Sequence, residues 1–213
     1  MDILPLGHSS FRIRGKSATV VTDPYDKLVV GLTFPKVEAD IVTVSHDHAD
    51  HNHVSAVGGS PFVITGPGEY EIKGVSIIGI SVLHDDEGGQ KRGKNIIYRM
   101  EVDGIRIVHL GDLGHVLTTD QVDALDGVDV LFVPVGGEYT IDAVGAKAVV
   151  GDIDPAIVIP MHYHIEKLNK QTFGSLAPVS KFLSEMGKES LSQSKLIVHK
   201  DKLPTELQVV VLE

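Results

Sequence analysis

The 213-residue chain contains no cysteine and no tryptophan. The lack of cysteine excludes disulfide bonds, thiolate metal ligands and a cysteine nucleophile. The chain has no run of 18 or more apolar residues, so no membrane helix is predicted. Residues 1–6 (MDILPL) have neither the basic start nor the long apolar stretch of a secretory signal. We therefore expect a cytoplasmic protein.

Positive charge is also scarce, because 19 Lys and Arg residues face 29 Asp and Glu residues, for a formal net charge of −10. Binding to a nucleic-acid backbone requires clustered basic side chains. The only dense basic segment is residues 91–94 (KRGK). A nucleic-acid partner is therefore disfavoured, and a small-molecule substrate is expected.

The composition, with 42% hydrophobic and 23% charged residues, is typical of a soluble globular protein. The length predicts one domain over residues 1–213. Strand-like runs fill the first 110 residues, and strands then alternate with helices. This order predicts a mixed α/β protein of the α+β kind, with helices packed outside mixed sheets. No sequence feature defines an oligomeric state.

Local patterns place the individual elements. Apolar and β-branched runs predict strands at 3–7, 10–14, 18–22, 41–45, 61–65, 75–83, 95–102, 104–110, 128–134, 156–160, 195–199 and 206–212. Helices are predicted at 118–125, 140–151 and 175–186, the first with a threonine cap. Asp103-Gly104 predicts a tight hairpin turn between two apolar runs.

The most informative segment is residues 46–51, which read HDHADH. His46, His48, Asp50 and His51 are all good ligands for zinc or a similar borderline metal. The preceding residues 39–45 (ADIVTVS) are typical of a buried strand, so the four side chains follow a strand end. The alternative interpretation is a polar surface loop in which histidines happen to cluster.

Four further acidic or imidazole groups follow apolar runs in the same way. They are Asp23, His84, Asp112 and His162. A surface-solvation interpretation does not predict such a group at the end of each buried strand. Loops over a rigid sheet are where binding and catalytic side chains concentrate, so we expect these residues to converge on a metal site.

This order of ligand types resembles the metallo-β-lactamase-fold hydrolases. The resemblance extends from residues 7–9 (GHS) to residues 160–163 (PMHY). It is greatest for the small, stand-alone Zn-dependent hydrolases of unassigned substrate, to which residues 109–115 (HLGDLGH) and 134–137 (PVGG) are also similar. It implies a four-layer αββα sandwich of two mixed β-sheets, with a dinuclear metal site at one edge of the sheets.

The resemblance also implies a ligand set. The first metal would be held by His46, His48 and His84, the second by Asp50, His51 and His162, and both by Asp112. Asp23 would orient ligand imidazoles from behind them. The cofactors would be two divalent ions, zinc first with manganese, iron or nickel as alternatives, bridged by water or hydroxide.

Departures from related branches narrow the expected function. Zinc β-lactamases often use a cysteine at the second metal and lack the bridging Asp, whereas this chain has Asp112 and no cysteine. The di-iron redox branch usually has Glu at the position of His48. We therefore expect metal-dependent hydrolysis of a lactone, phosphodiester or thioester by a hydroxide between the metals. The alternatives are a metal-binding interaction module without turnover and a nuclease of the same fold.

Two residues are expected to act in catalysis. Asp50 would help to orient the nucleophile. His115 follows Asp112 by three residues, and it is either a proton donor or an ordinary loop histidine. His164 is the alternative to His162 as the last ligand. His8 and His109 are interpreted as hydrogen-bonded structural histidines.

The segment 85–94 begins next to His84, and so is expected to overhang the site as a mobile, glycine-rich loop. Its acidic start, residues 85–87, is interpreted as a solvated turn. Lys91, Arg92 and Lys94 either bind an anionic group on the substrate or are simply solvated.

Overall fold

Two β-sheets occupy the centre of the molecule in the computed structural model, which describes residues 1–213. In chain order the strands are β1 (Asp2–Gly7), β2 (Ser10–Arg14), β3 (Thr19–Thr22), β4 (Glu38–Thr43), β5 (Gly58–Ile64), β6 (Gly68–Ile72), β7 (Val75–Leu83), β8 (Lys94–Val102), β9 (Ile105–His109), β10 (Val130–Pro134), β11 (Ile157–Met161), β12 (Leu191–Gln193), β13 (Leu196–Ile197) and β14 (Gln208–Leu212). The helices are α1 (Lys27–Val30), α2 (Thr119–Leu125), α3 (Ala143–Ile153), α4 (Lys170–Phe173) and α5 (Val179–Met186). No helix is both long enough and apolar enough to cross a membrane.

Both sheets are mixed. The first has the order β13-β1-β2-β3-β4-β5, in which β3, β4 and β5 are parallel and the other neighbours antiparallel. The second has the order β12-β14-β11-β10-β9-β8-β7-β6. Its strands are parallel from β12 to β9 and antiparallel from β9 to β6.

The alternation of side chains along β10 shows why this strand is apolar throughout. Val130 and Phe132 point into the core between the two sheets. Leu131 and Val133 point to the opposite face, where they join the core beneath the helices. A strand covered on both faces has no solvent-facing positions, so it carries no polar alternation.

Helices pack on the outer face of the second sheet and at one end of the sandwich. α2, α3 and α5 pack on the second sheet, where Leu125, Val149 and Phe182 are buried with the outward side chains of the strands. α1 and α4 pack together at one end of the sheets through Val30 and Phe173. The predicted class, two mixed sheets with helices outside, is confirmed.

Most predicted elements are present, with differences at their ends. The cap at Thr118 is part of a capping box, in which the Thr118 hydroxyl and the Gln121 amide each accept a hydrogen bond from the other's backbone N–H. The helix predicted from 175 begins at Val179, because residues 174–176 form a turn and a bend and Pro178 is extended. Sequence analysis missed the strands β6 and β12 and the four-residue helices α1 and α4, which are too short or too polar for a periodic signal.

The core between the sheets generates a stability prediction. Phe132 is fully buried, with its ring centroid 4.3 Å from that of Phe11. Replacing Phe132 by Ala would leave a cavity and lower the free energy of unfolding by about 3–5 kcal/mol in urea denaturation. The control is Phe62→Ala, at a residue that is 52% exposed, which is expected to cost about 0.5 kcal/mol or less. Equal losses in the two variants would contradict the assigned core.

Candidate metal centre

The predicted site residues meet at one end of the two sheets. Asp23, His84 and His162 directly follow β3, β7 and β11, while His46 and Asp112 lie in the loops after β4 and β9. These strands all point the same way, so their carboxyl ends share one edge of the sandwich. The fold thus brings distant parts of the sequence to a single location.

Three histidines form the first group. His46, His48 and His84 each offer a ring nitrogen, and these nitrogens lie within 4.8 Å of one another. The ring centroids are 4.5 Å apart for His46 and His48 and 4.6 Å apart for His46 and His84. Three imidazoles converging in this way match a transition-metal or zinc site.

The second group contains Asp50, His51 and His162, and the structure adds His8 to it. The Asp50 Oδ2 atom lies 3.4 Å from His51 Nε2 and 3.3 Å from His8 Nε2. The His8 side chain is wholly buried. His8 therefore has the structural role expected for it, because its contact with Asp50 positions that carboxylate.

Asp112 lies between the two groups. Its Oδ2 atom is 3.5 Å from His84 Nε2 in the first group. The same atom is 3.3 Å from the Nε2 atoms of both His51 and His162 in the second group. One carboxylate oxygen thus contacts imidazoles of both groups, as a ligand shared by two metals would.

Unpartnered polar atoms test whether these residues fit metal ions. His46 Nε2, His51 Nε2, Asp112 Oδ1 and both ring nitrogens of His162 are buried without a hydrogen-bond partner. Buried polar groups are normally paired, and a cluster of orphaned lone-pair donors needs an explanation. Metal ligation satisfies such atoms, so the donor set fits divalent cations of the kind bound by imidazole and carboxylate.

Electrostatics point the same way. Burial lowers the pKa of His46 to about 3 and also lowers that of His84, so both are neutral imidazoles, the form that binds metal. Burial alone would lower the pKa of His51, but the carboxylates of Asp112 and Asp50 outweigh it and raise this pKa well above its ordinary value. Burial would raise the pKa values of both carboxyls, yet the surrounding histidines hold them below the ordinary value. The cluster therefore favours positive charge at its centre.

Asp23 orients two of the candidate ligands. Its carboxylate accepts hydrogen bonds from Ser45 N (2.8 Å), Ser45 Oγ (2.6 Å) and His51 Nδ1 (2.9 Å). Because the Ser45 hydroxyl proton goes to Asp23, Ser45 Oγ accepts from His46 Nδ1 at 2.9 Å. Both histidines therefore carry their proton on Nδ1 and present Nε2 to the cluster.

Backbone conformation is unusual at this edge. His8, Asp23 and His162 have φ values of 54°, 41° and 54°, in the left-handed region that non-glycine residues rarely adopt. Such residues cost about 1–3 kcal/mol each and concentrate at functional sites. The glycine at 136 explains part of the PVGG motif, because a Cβ there would lie 2.1 Å from the carbonyl oxygen of His162.

A cavity of about 250 Å³ opens over the cluster. Four of the candidate ligands, His48, Asp50, His84 and Asp112, form one side of it. The rest of its wall is formed by Val29, Arg92, Tyr139, Thr172 and Phe173. This cavity is where a substrate can reach the proposed ligands.

Three other histidines stay outside the cluster. His115 donates from Nδ1 to the Val116 carbonyl and accepts the Leu83 N–H on Nε2, so both ring nitrogens are occupied by backbone and neither faces the cavity. His164 contacts the Phe173 carbonyl at 3.3 Å, whereas His162 is in the cluster. His109 accepts from Gly111 N and donates to the Ser9 carbonyl, the structural role expected for it.

Two positioning residues were not found from the sequence. The Ser45 hydroxyl donates to Asp23 and accepts from His46, so it links the position of the His46 ring to that of Asp23. The buried Asn95 side chain donates to the Leu110 carbonyl and accepts from Asp112 N, which fixes the loop that carries Asp112. The available signal was a polar residue at the start of an apolar strand, Asn95-Ile96-Ile97.

The interpretation of residues 85–87 as a solvated turn is wrong for Asp85, which is 3% exposed. Its carboxylate accepts hydrogen bonds from the backbone N–H groups of Glu87, Gly89, Lys91 and Arg92, at 2.7–3.0 Å. The Arg92 N–H contributes most to lowering the pKa of Asp85 to about 2. The stabilisation is complete above the ordinary pKa of 3.8 and is lost as the pH falls through about 2. Asp85 therefore holds the loop in place at neutral pH.

Limited proteolysis tests this role of Asp85. Asp85→Asn removes the charge that attracts four N–H groups, so the loop should open and trypsin should cut after Lys91 or Arg92 about fivefold faster or more. Asp86→Asn is the matched control, because Asp86 is exposed and its side chain makes no hydrogen bond. Equal cleavage rates in the two variants would show that Asp85 does not hold the loop.

The Asp23 contacts predict a loss of metal affinity in Asp23→Asn. The amide oxygen of Asn can still accept from Ser45 N, but the NH₂ group only donates and so cannot accept from His51 Nδ1 or Ser45 Oγ, and the ligand imidazoles lose their orientation. Equilibrium dialysis with zinc should show about 10–100-fold weaker binding. The control Asp40→Asn, at a remote carboxylate paired with Lys73, should bind like the wild type. Unchanged affinity in Asp23→Asn would refute the orienting role.

Comparison with known proteins agrees with this geometry. The family model described as a beta-lactamase superfamily domain matches residues 2–162. The chain belongs to the metallo-β-lactamase superfamily. Its structure is similar to the crystal structure of a candidate Zn-dependent hydrolase of this superfamily from Thermotoga maritima, with 39% identity, a TM-score of 0.82, and coverage of 100% of this chain and 98% of the other.

Two curated relatives are described as metal-dependent hydrolases. The protein from Thermoplasma acidophilum is 29% identical over 189 residues, which cover 77% of this chain and 84% of that protein. The protein from Korarchaeum cryptofilum is 30% identical over 216 residues, covering 88% and 89%. Together with the imidazole and carboxylate cluster, these similarities identify the superfamily member as a metal-dependent hydrolase.

Proposed function

We propose that this hydrolase uses two divalent cations to cleave an ester-like bond, in a lactone, phosphodiester or thioester. The observation that carries the proposal is the contact of one Asp112 oxygen with imidazoles of both ligand groups. Hydrolytic sites with two metals about 3.5–4 Å apart use such shared ligands. The lack of cysteine and the presence of Asp112 argue against a β-lactam substrate.

The residues divide between two subsites. His46, His48 and His84 would hold one cation, Asp50, His51 and His162 the other, and Asp112 both. When bound, the cations would lower the pKa of a water between them, so that hydroxide is available near neutral pH, and act as Lewis acids toward the substrate. Zinc is the first candidate, because the imidazole-rich donor set suits it and a similar protein is described as a candidate Zn-dependent hydrolase.

Asp50 is proposed as the catalytic carboxylate. It lies on the cavity wall, and His8 and His51 hold its Oδ2 atom in place. The neighbouring histidines keep its pKa below the ordinary value despite burial, so it is ionised at neutral pH. As an ionised carboxylate it would accept a hydrogen bond from the attacking water and so orient that water. His115 is too occupied by backbone contacts for the donor role first considered for it.

The remaining cavity wall limits the substrate. Val29, Tyr139 and Phe173 add apolar side chains to the wall of the cavity that holds the ligands. The volume of about 250 Å³ lies below the range of typical drug-sized pockets. A small-molecule substrate fits this space better than a polymer does.

Metal analysis and turnover together test the proposal. Wild-type protein loaded with zinc should hold about two ions per chain and hydrolyse 4-nitrophenyl esters or bis(4-nitrophenyl) phosphate. His48→Ala and Asp112→Ala should each lose metal and lower turnover about 100-fold or more. His53→Ala is the control, because the His53 side chain lies outside the ligand groups and hydrogen-bonds only with Ser55. Full metal binding without turnover of any reporter would favour a binding module, and wild-type behaviour of His48→Ala would contradict the ligand assignment.

A further inference from the structure

Arg92 is a half-buried cation on the wall of the cavity above the metal cluster. It faces a space that it shares with His48, His84 and Asp112. The proposed function does not use this side chain. Its position relative to the ligands makes it a candidate for contact with substrate.

Three contacts fix the place of the Arg92 guanidinium. The Asp85 carboxylate accepts the Arg92 backbone N–H at 2.7 Å and so anchors the chain on which the side chain is carried. The Nη2 atom donates to the Glu138 carbonyl at 3.1 Å, and the guanidinium carbon lies 5.5 Å from the centroid of the Tyr139 ring. A side chain that is already held by a carbonyl and an aromatic face loses less conformational entropy on binding an anion than a freely moving side chain does.

The charge of Arg92 has no carboxylate partner in the protein. No Asp or Glu oxygen lies within 4.0 Å of it, although the chain has a formal net charge of −10. A guanidinium has five N–H donors, and only the bond to Glu138 uses one of them. The rest of its planar fork is free to make paired hydrogen bonds to an oxyanion.

The other basic residues of the loop are placed differently. Lys91 is exposed and pairs with Glu87 at 3.8 Å. Lys94 lines a separate cavity, which also contacts His46. The three basic residues of segment 91–94 therefore do not form one binding site. Of the three, only Arg92 lines the cavity above the metal-ligand cluster.

We propose that Arg92 binds an oxyanion, a carboxylate or phosphate, that the substrate carries beside its scissile ester-like bond. This inference rests on the proposed hydrolytic function, because it places the reacting bond at the metal cluster. The substrate is then a small anionic ester or lactone. Its charged group pairs with Arg92 while the bond to be cleaved lies against the side chains that would hold the cations.

A matched pair of esters tests this proposal in zinc-loaded protein. Mono-4-nitrophenyl glutarate and 4-nitrophenyl pentanoate share leaving group and acyl length and differ in the terminal carboxylate. Arg92→Gln keeps an N–H group that can reach the Glu138 carbonyl but removes the charge. It should lower the preference for the glutarate ester, as a ratio of kcat/KM values, about tenfold or more, mainly through KM. The control Lys91→Gln should keep the ratio within about twofold.

An unchanged ratio of kcat/KM values in Arg92→Gln would overturn the proposal. If both esters lose activity equally, Arg92 has a structural role and the proposal is likewise overturned. A wild type that hydrolyses neither ester would instead count against the hydrolytic function. Calorimetric titration of the zinc-loaded protein with glutarate then decides the role of Arg92. Binding about tenfold weaker in Arg92→Gln than in Lys91→Gln supports it, and equal or undetectable binding overturns it. Titration with propyl phosphate tells which oxyanion is preferred.

Discussion

The site depends on a single buried carboxylate. Asp112 is surrounded by the imidazoles of His51, His84 and His162. Burial opposes its ionisation, yet His162 and His51 hold its pKa well below the ordinary value. A buried anion must be compensated by positive charge, and the orphaned nitrogens around it show that protein hydrogen bonds do not supply all of it. The mixed sheets bring the strand ends together, and the side chains at their meeting point are suited to binding divalent cations.

Hydrogen bonds from residues behind the ligands hold the ligand side chains in position. Asp23 and Ser45 fix the ring orientation of His46 and His51. Asp23 and His162 have left-handed backbone conformations, which non-glycine residues rarely adopt. At both positions the backbone turns sharply into the site directly after a strand. The stability of the sandwich offsets this local strain, which is why the ligands follow rigid strands rather than long free loops.

The sequence predicted the sheets and the cluster well, because apolar runs end where a ligand begins, as in Ile80–Leu83 before His84. It failed where proximity along the chain is misleading. His115 follows Asp112 closely, but the chain turns at Gly114, which packs on the His84 backbone, and the imidazole points to backbone groups. Asp85 was mistaken for a solvated charge, because the capture of backbone N–H groups depends on a loop conformation that composition does not encode.

The central claim is that Asp112 joins two metal subsites. Anomalous diffraction from zinc-loaded crystals tests it most directly, because each bound ion gives its own peak. The account predicts two peaks about 3.5–4 Å apart, one within about 2.2 Å of nitrogens from His46, His48 and His84 and one near Asp50, His51 and His162, with Asp112 contacting both. A single peak, or two peaks of which only one touches Asp112, would contradict it.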